Sequence, residues 1–261
     1  MRSIWKGAVS FGLVTIPVAL FSATEDRTPK FKMLRKDDGS AIKYKRVAES
    51  DGEEVAWDEI VRGFEVEKGT YVTFTDEELA AANSKGGAKL VDVVQFVAES
   101  EIDPMYYKSS YFLAPEKTGV KAYKILLQAL GEKGRVGIAK VAIRDKEHLA
   151  TVRARDGVLV LETMYWPDEL RRPEFEELDI DVDVRAEEVQ MAEMLIENMT
   201  RPFEETEYVD RTRERIEELA QSKLDGREIV VPEAEEPSKV VDLLDALRAS
   251  VEATKARKEA S

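Results

Sequence analysis

The chain opens on a mostly apolar run, Ala8 to Phe21, in which Val9, Val14, Thr15, Ile16 and Val18 are interrupted by Gly12 and Pro17. β-Branched residues broken by Gly and Pro predict a buried strand with a bulge or bend. Next, KFKMLRKDDGSAIKYKRV alternates around an Asp38-Gly39 turn. Lys30, Lys32, Lys43 and Lys45 fall on one face and Phe31, Met33, Ile42 and Tyr44 on the other, which predicts a hairpin. TYVTFTDEEL predicts a strand running into a helix capped by Thr75, with Glu78 three residues on, and KLVDVVQFV predicts another strand. VKAYKILLQALGEKG has the spacing of an amphipathic helix stopped by glycine. The following RVGIAKVAIRDKEHLATVRARDGVLVLETMYW predicts strands with a tight hairpin at Asp156-Gly157. Helices dominate thereafter. Val189, Ala192, Ile196 and Met199 keep helical spacing, as do Ile216, Leu219, Ala220 and Leu224. VVPEAEEPSK predicts a linker. Beyond it Val240, Leu244, Leu247 and Val251 form the stripe of a lone helix capped by Ser238, read as a segment that docks on a partner.

Composition narrows the setting. With 261 residues and 43% apolar content, the chain can bury a sizeable core, and no internal repeat divides it. It has no cysteine, which excludes disulfides and thiolate metal sites and suits a reducing compartment. Its one histidine, His148, cannot build a histidine cluster and is read as an ordinary strand or turn residue. The opening run is too short and too interrupted for a membrane helix, and no small-residue cleavage pattern closes it. The expectation is a cytoplasmic protein with no membrane partner.

Charge adds a local feature to an acidic average. The net charge is −14, yet residues 157–261 alone carry −15, leaving +1 over residues 1–156. Between Arg27 and Arg46, eight basic residues face only Asp37 and Asp38. A second basic set comprises Lys140, Arg144, Lys146, Arg153 and Arg155. Cations that project together from a hairpin, in a chain whose other surfaces repel polyanions, suit phosphate-backbone binding without base readout. The candidate DNA-contacting residues are Lys30, Lys32, Arg35, Lys36, Lys43, Lys45 and Arg46, with Arg144 and Lys146.

Enzymatic signals are sparse. KLDG at Lys223 to Gly226, followed by Arg227, resembles the nucleotide-accepting motif of ATP-dependent DNA ligases, in which the lysine is adenylylated. The other acidic and lysine motifs of that chemistry are missing. The plainer reading is a helix terminus, with Lys223 favouring the dipole and Gly226 supplying a left-handed stop. There is no Walker-type loop, dinucleotide fingerprint or nucleophile elbow. No catalytic residue, metal or cofactor is expected. A lysine-adenylylating nucleotidyltransferase acting through Lys223 is the alternative.

Taken together, RSIWKGAVSFGLVTIPVALFSAT, IKYKRV, DPMYYKSSYFLAPE, YWPDELR and KLDG resemble, in order, the bacterial Ku proteins of non-homologous end joining. The resemblance implies an α+β, β-rich fold: a Ku core β-barrel with a long arch, followed by a helical C-terminal arm, over residues 1–228. Residues 229–238 would then be the linker and 239–261 the C-terminal helix. It further implies a ring-shaped homodimer that threads onto double-stranded DNA ends, associates with the nucleoid, and recruits and stimulates an ATP-dependent DNA ligase. In that case Val240, Leu244, Leu247 and Val251 would face the ligase. Two departures matter. VAESDGEE stands where some relatives carry a cysteine pair, which excludes a zinc-binding turn there. The terminus offers only Lys255, Arg257 and Lys258 in place of a lysine-rich tail.

Overall fold

A computed structural model describes residues 1–83, 89–143, 146–226, 248 and 250–252. The chain divides into two compact units, Met1–Arg27 with Lys32–Arg172, and Thr28–Phe31 with Pro173–Ser261.

The first unit is built on β1 (Trp5–Phe11), β2 (Val14–Ser22), β3 (Arg62–Glu67), β4 (Thr70–Phe74), β5 (Leu90–Ala98), β6 (Tyr107–Pro115), β7 (Arg135–Ile143), β8 (Lys146–Arg155) and β9 (Val158–Met164). Seven of these close a barrel in the order β1-β2-β6-β9-β8-β7-β5. Every neighbouring pair is antiparallel except the closing seam, where β1 runs parallel to β5 with Ala8 opposite Leu90. β3 and β4 form a separate two-stranded sheet.

The opening run differs from the single bent strand expected. It is two strands, folded back at Gly12 and Leu13 so that Phe11 pairs with Val14. Gly12 lies at φ +58, the left-handed region glycine occupies without steric cost, so it makes a chain reversal where a bulge was expected. The Asp156-Gly157 hairpin forms as expected. Both residues have positive φ, 50 and 80, which gives the twist that matches paired strands.

Alternation sorts the strands into an inner and an outer face. Val9, Ile16, Val18, Leu20, Val91, Leu113, Val141, Val152, Leu159 and Leu161 fill the interior and are buried. One end of the barrel is covered by α2 (Val120–Lys133), which presents Tyr123, Leu126 and Leu130. Gly134 ends this helix at φ +56, as its sequence predicts. Tyr123 fastens the helix down: its hydroxyl donates to the Leu113 carbonyl (2.6 Å) and accepts from the Leu159 N–H (2.7 Å). Burial pushes the Tyr123 phenol up from its ordinary value.

After β4 comes α1 (Asp76–Asn83), closed by the predicted reciprocal cap. Glu78 N–H donates to Thr75 Oγ1 (3.1 Å) and Thr75 N–H to Glu78 Oε2 (2.9 Å).

The second unit contains α3 (Ala186–Met199) and α4 (Arg211–Leu224), at the positions their spacing predicts. Asp210 caps α4 by accepting from the Arg213 N–H (3.0 Å). Neither helix has a buried residue; Ile196, Met199 and Leu224 keep 66, 63 and 82% of their surface exposed. The 229–238 linker and Val240, Leu244 and Leu247 lie outside the described residues. Arg248 and Ser250 to Glu252 are helical, and Val251 is buried.

Candidate nucleic-acid interface

The basic hairpin turns where its sequence places the turn. Leu34 bridges Ala41, Ile42 N–H donates to the Met33 carbonyl (3.1 Å), and Arg35 N–H to the Ser40 carbonyl (2.8 Å). Gly39 takes φ +67. Asp38 accepts from the Ser40 N–H (3.0 Å) and hydroxyl (2.8 Å). These bonds, aided by Arg35, hold the Asp38 carboxyl below its ordinary range.

The pairing is shorter than the extended hairpin expected, one bridge in place of a ladder. A two-stranded ribbon needs a layer beneath it to be stable, and this one has none within its unit: Met33, Ile42 and Tyr44 stay largely exposed. Its apolar face is nevertheless the predicted one, for the Tyr44 hydroxyl donates to Met33 Sδ (3.4 Å). The register of the Leu34–Ala41 bridge carried two residues further sets Lys32 across from Lys43.

A second reversal follows, with Val47 bridging Glu54 and Val55 N–H donating to the Arg46 carbonyl (3.0 Å). It brings partners to two of the candidate cations. Lys45 pairs with Glu54 at 2.5 Å, and the Arg46 guanidinium lies 4.1 Å above the Trp57 ring. Arg35 also has an acid nearby, Asp38 at 3.4 Å. Lys30 is exposed and engaged. That leaves Lys32, Lys36 and Lys43 exposed and without an ion pair among the described residues. Exposed ion pairs contribute roughly 0–1 kcal/mol, so Arg35 and Lys45 can exchange their acids for phosphate at little cost.

The second basic set does not form one patch. Arg153 is half-buried, with Nε 2.7 Å from Glu162 Oε2 and Nη2 3.0 Å from Oε1, and Glu99 stands 3.4 Å away. The hydrogen bond to Glu162 raises the Arg153 pKa and holds its charge inside the protein, unavailable to a polyanion. Arg155 pairs with Asp156 (3.3 Å). Lys140 is on the outer face of β7, whereas Lys146 pairs with Ile143 on the inner face. Arg144 lies outside the described residues. The Arg153–Glu162 contact was legible. The Asp156-Gly157 turn sets Thr151 opposite Glu162 and Arg153 opposite Val160, making Arg153 and Glu162 diagonal neighbours. The Trp57 and Glu54 contacts carried no comparable signal, because they depend on a loop reversal.

Lys223 lies in the last turn of α4, and Gly226 follows at φ +69, donating its N–H to the Lys223 carbonyl (3.2 Å). This is the helix terminus that the sequence suggests. Among the described residues no group of acids and histidine is placed to hold a metal, and no helix is long and apolar enough to cross a membrane.

The fold is that of an α+β protein organised around a Ku-type barrel: residues 10–192 match the model of the Ku70/Ku80 beta-barrel domain. The chain is 45% identical over 257 residues to the non-homologous end joining protein Ku of Frankia casuarinae, covering 98% of this chain and 65% of that protein. It is 39% identical over 258 residues to the protein of that name from Bacillus subtilis (98% and 83% covered). It is 40% identical over 256 residues to the one from Archaeoglobus fulgidus (98% and 100%). The chain belongs to the Ku family.

Proposed function

We propose that this protein binds double-stranded DNA ends, independently of sequence, as a ring-shaped homodimer in non-homologous end joining. The named relatives support the pathway. The observation that carries the mode of binding is the pairing of unpartnered apolar surface with unpaired cations. Phe64, Val66 and Tyr71 of the β3–β4 sheet, Met33 and Tyr44 of the hairpin, and the stripes of α3 and α4 are exposed on a single chain. Exposed apolar surface on each of these elements suits a protein interface, and a second copy would supply a partner of matching chemistry. Lys32, Lys36 and Lys43 then face the DNA backbone. An end binder meets arbitrary sequence, so phosphate contacts and enclosure hold the duplex where base readout cannot.

Two copies of these three cations neutralise about 6 phosphates and contribute about −5 to the log–log salt slope. Gel shifts on linear and closed-circular DNA of identical sequence, without ATP, test the mode. The linear form alone should shift, and blocking its ends afterwards should trap the protein. The triple variant Lys32→Ala, Lys36→Ala, Lys43→Ala should weaken binding equally on unrelated sequences and make the slope shallower by about 5. Equal binding to closed circles, or a strictly monomeric protein, rejects the reading.

Recruitment of an ATP-dependent DNA ligase through the C-terminal helix belongs to the same proposal. Val251 is buried within the chain, so a ligase gripping the stripe competes with that packing. Deleting residues 232–261 should spare DNA binding and abolish ligase stimulation.

A further inference from the structure

The two ends of the barrel differ. One is closed by α2, and the other opens into a cavity of about 420 Å³ lined by Ile4, Ser22, Tyr111, Ile143, Lys146 and His148. Strand register shows what faces it. On β7 and β8 the inward pairs run Ala139–Ala150, Val141–His148 and Ile143–Lys146. On β2 and β6 they run Leu20–Leu113 and then Ser22–Tyr111. Five of the six lining residues therefore sit at inward-facing strand positions, and among them the apolar interior gives way to a lysine, an imidazole and two hydroxyls.

Among the described lining residues the charge is of one sign. Lys146 has no ion pair and the Tyr111 hydroxyl no hydrogen bond among the described residues. Ser22 Oγ is committed as a donor to the Thr24 carbonyl (2.7 Å), which leaves Lys146, Tyr111 and His148 to offer hydrogen. Among the described residues no carboxylate lines the cavity. We propose that the barrel mouth is a binding site for a phosphate dianion, free or as a monoester, held by the Lys146 ammonium, the Tyr111 hydroxyl and a protonated His148. A dianion suits the site better than a carboxylate because two groups able to carry positive charge converge there, and barrel mouths are habitual ligand sites.

Burial, then Lys146 and Lys108, push the His148 pKa below its ordinary value, against weaker opposition from the Ile143 carbonyl and Glu169. An anion seated between Lys146 and His148 reverses that balance, so binding and protonation are linked.

His148 is the chain's sole histidine and so supplies its own reporter. In the ¹⁵N-labelled full chain, inorganic phosphate added at constant ionic strength near pH 6.5 should move the imidazole resonances saturably. It should also raise the titration midpoint of His148, whereas chloride should do neither. Lys146→Gln, at an exposed strand end, should weaken the response at least about tenfold, the equivalent of one charge-assisted bond. Two duplexes of identical sequence, 5′-hydroxyl and 5′-phosphorylated, separate the sources of the ligand. A larger shift with the phosphorylated duplex identifies a strand terminus, and a response to inorganic phosphate alone identifies a free anion. The phosphate arm stands apart from the DNA-end reading, on which only the duplex arms rest. The proposal is overturned by a phosphate response that Lys146→Gln leaves unchanged. It is overturned equally if phosphate gives no saturable response and the two duplexes behave alike.

Discussion

Tyr123→Phe should loosen the barrel at its covered end. The side chain is 5% exposed, and its hydroxyl ties α2 to the ends of both β6 and β9. Phenylalanine keeps the ring and its packing, so the loss is confined to two hydrogen bonds of 2.6 and 2.7 Å. Each such bond contributes a net ~0.5–1.5 kcal/mol, and a buried N–H left without an acceptor adds desolvation cost. The expected destabilisation is about 2–3 kcal/mol, which for a chain of this length lowers the melting temperature by roughly 4–12 °C. Urea unfolding at fixed protein concentration measures it. The midpoint should fall with the slope unchanged, since the surface exposed on unfolding is the same. Tyr208→Phe, at an exposed ring, is the control and should stay within about 0.5 kcal/mol of wild type. A Tyr123→Phe loss no larger than that control would show that the two backbone groups are satisfied without the hydroxyl, and the account of how α2 is held would fall.

Glu162→Gln should cost about 2–3 kcal/mol, the low end for a broken buried pair because Glu99 still stands 3.4 Å from Arg153; adding Arg153→Met should return part of the loss, and additive losses in a double-mutant cycle would contradict the coupling. Gly7→Ala should destabilise by about 3 kcal/mol or more, because a Cβ there would overlap the Lys89 carbonyl oxygen and the Trp5 ring, with backbone on one side unable to yield; a soluble variant with wild-type thermal stability would refute the tight β1–β5 seam. His148 has its pKa depressed below 6.5 by burial, Lys146 and Lys108, so the folded state binds its proton less readily than the unfolded chain. That contribution is full above about pH 6.5 and is lost as pH falls through the folded value. His148→Gln should therefore flatten the stability profile between pH 7.5 and 5, and parallel wild-type and variant profiles in phosphate-free buffer would reject it.

The elements that read correctly from sequence are those whose cause lies within a few residues. Thr75 and Glu78 cap α1 because a helix start needs acceptors three residues apart. Gly134 stops α2, and Asp156-Gly157 turns β8 into β9, because each place needs positive φ. The stripes of α3 and α4 follow the 3.6-residue period. The first turn was misread for the converse reason. Gly12 can make either a bulge or a reversal, and the choice went to reversal because Val9 and Ile16 pack together in the same barrel.

Local pattern also identified the hairpin as the basic surface, but charge counting treats every lysine and arginine alike. Folding separates them, since availability depends on what the rest of the chain brings alongside. Glu54 comes to Lys45 and Trp57 lies under Arg46 only after a second loop reversal, while Glu162 reaches Arg153 across a strand pair. Closure of the barrel has the same origin: β1 meets β5 in parallel across some eighty residues, a contact that no local period encodes. The inward turn of Lys146 and His148 follows from that closure. Strand alternation assigns them a face, but only a closed sheet turns that face into the mouth of a cavity.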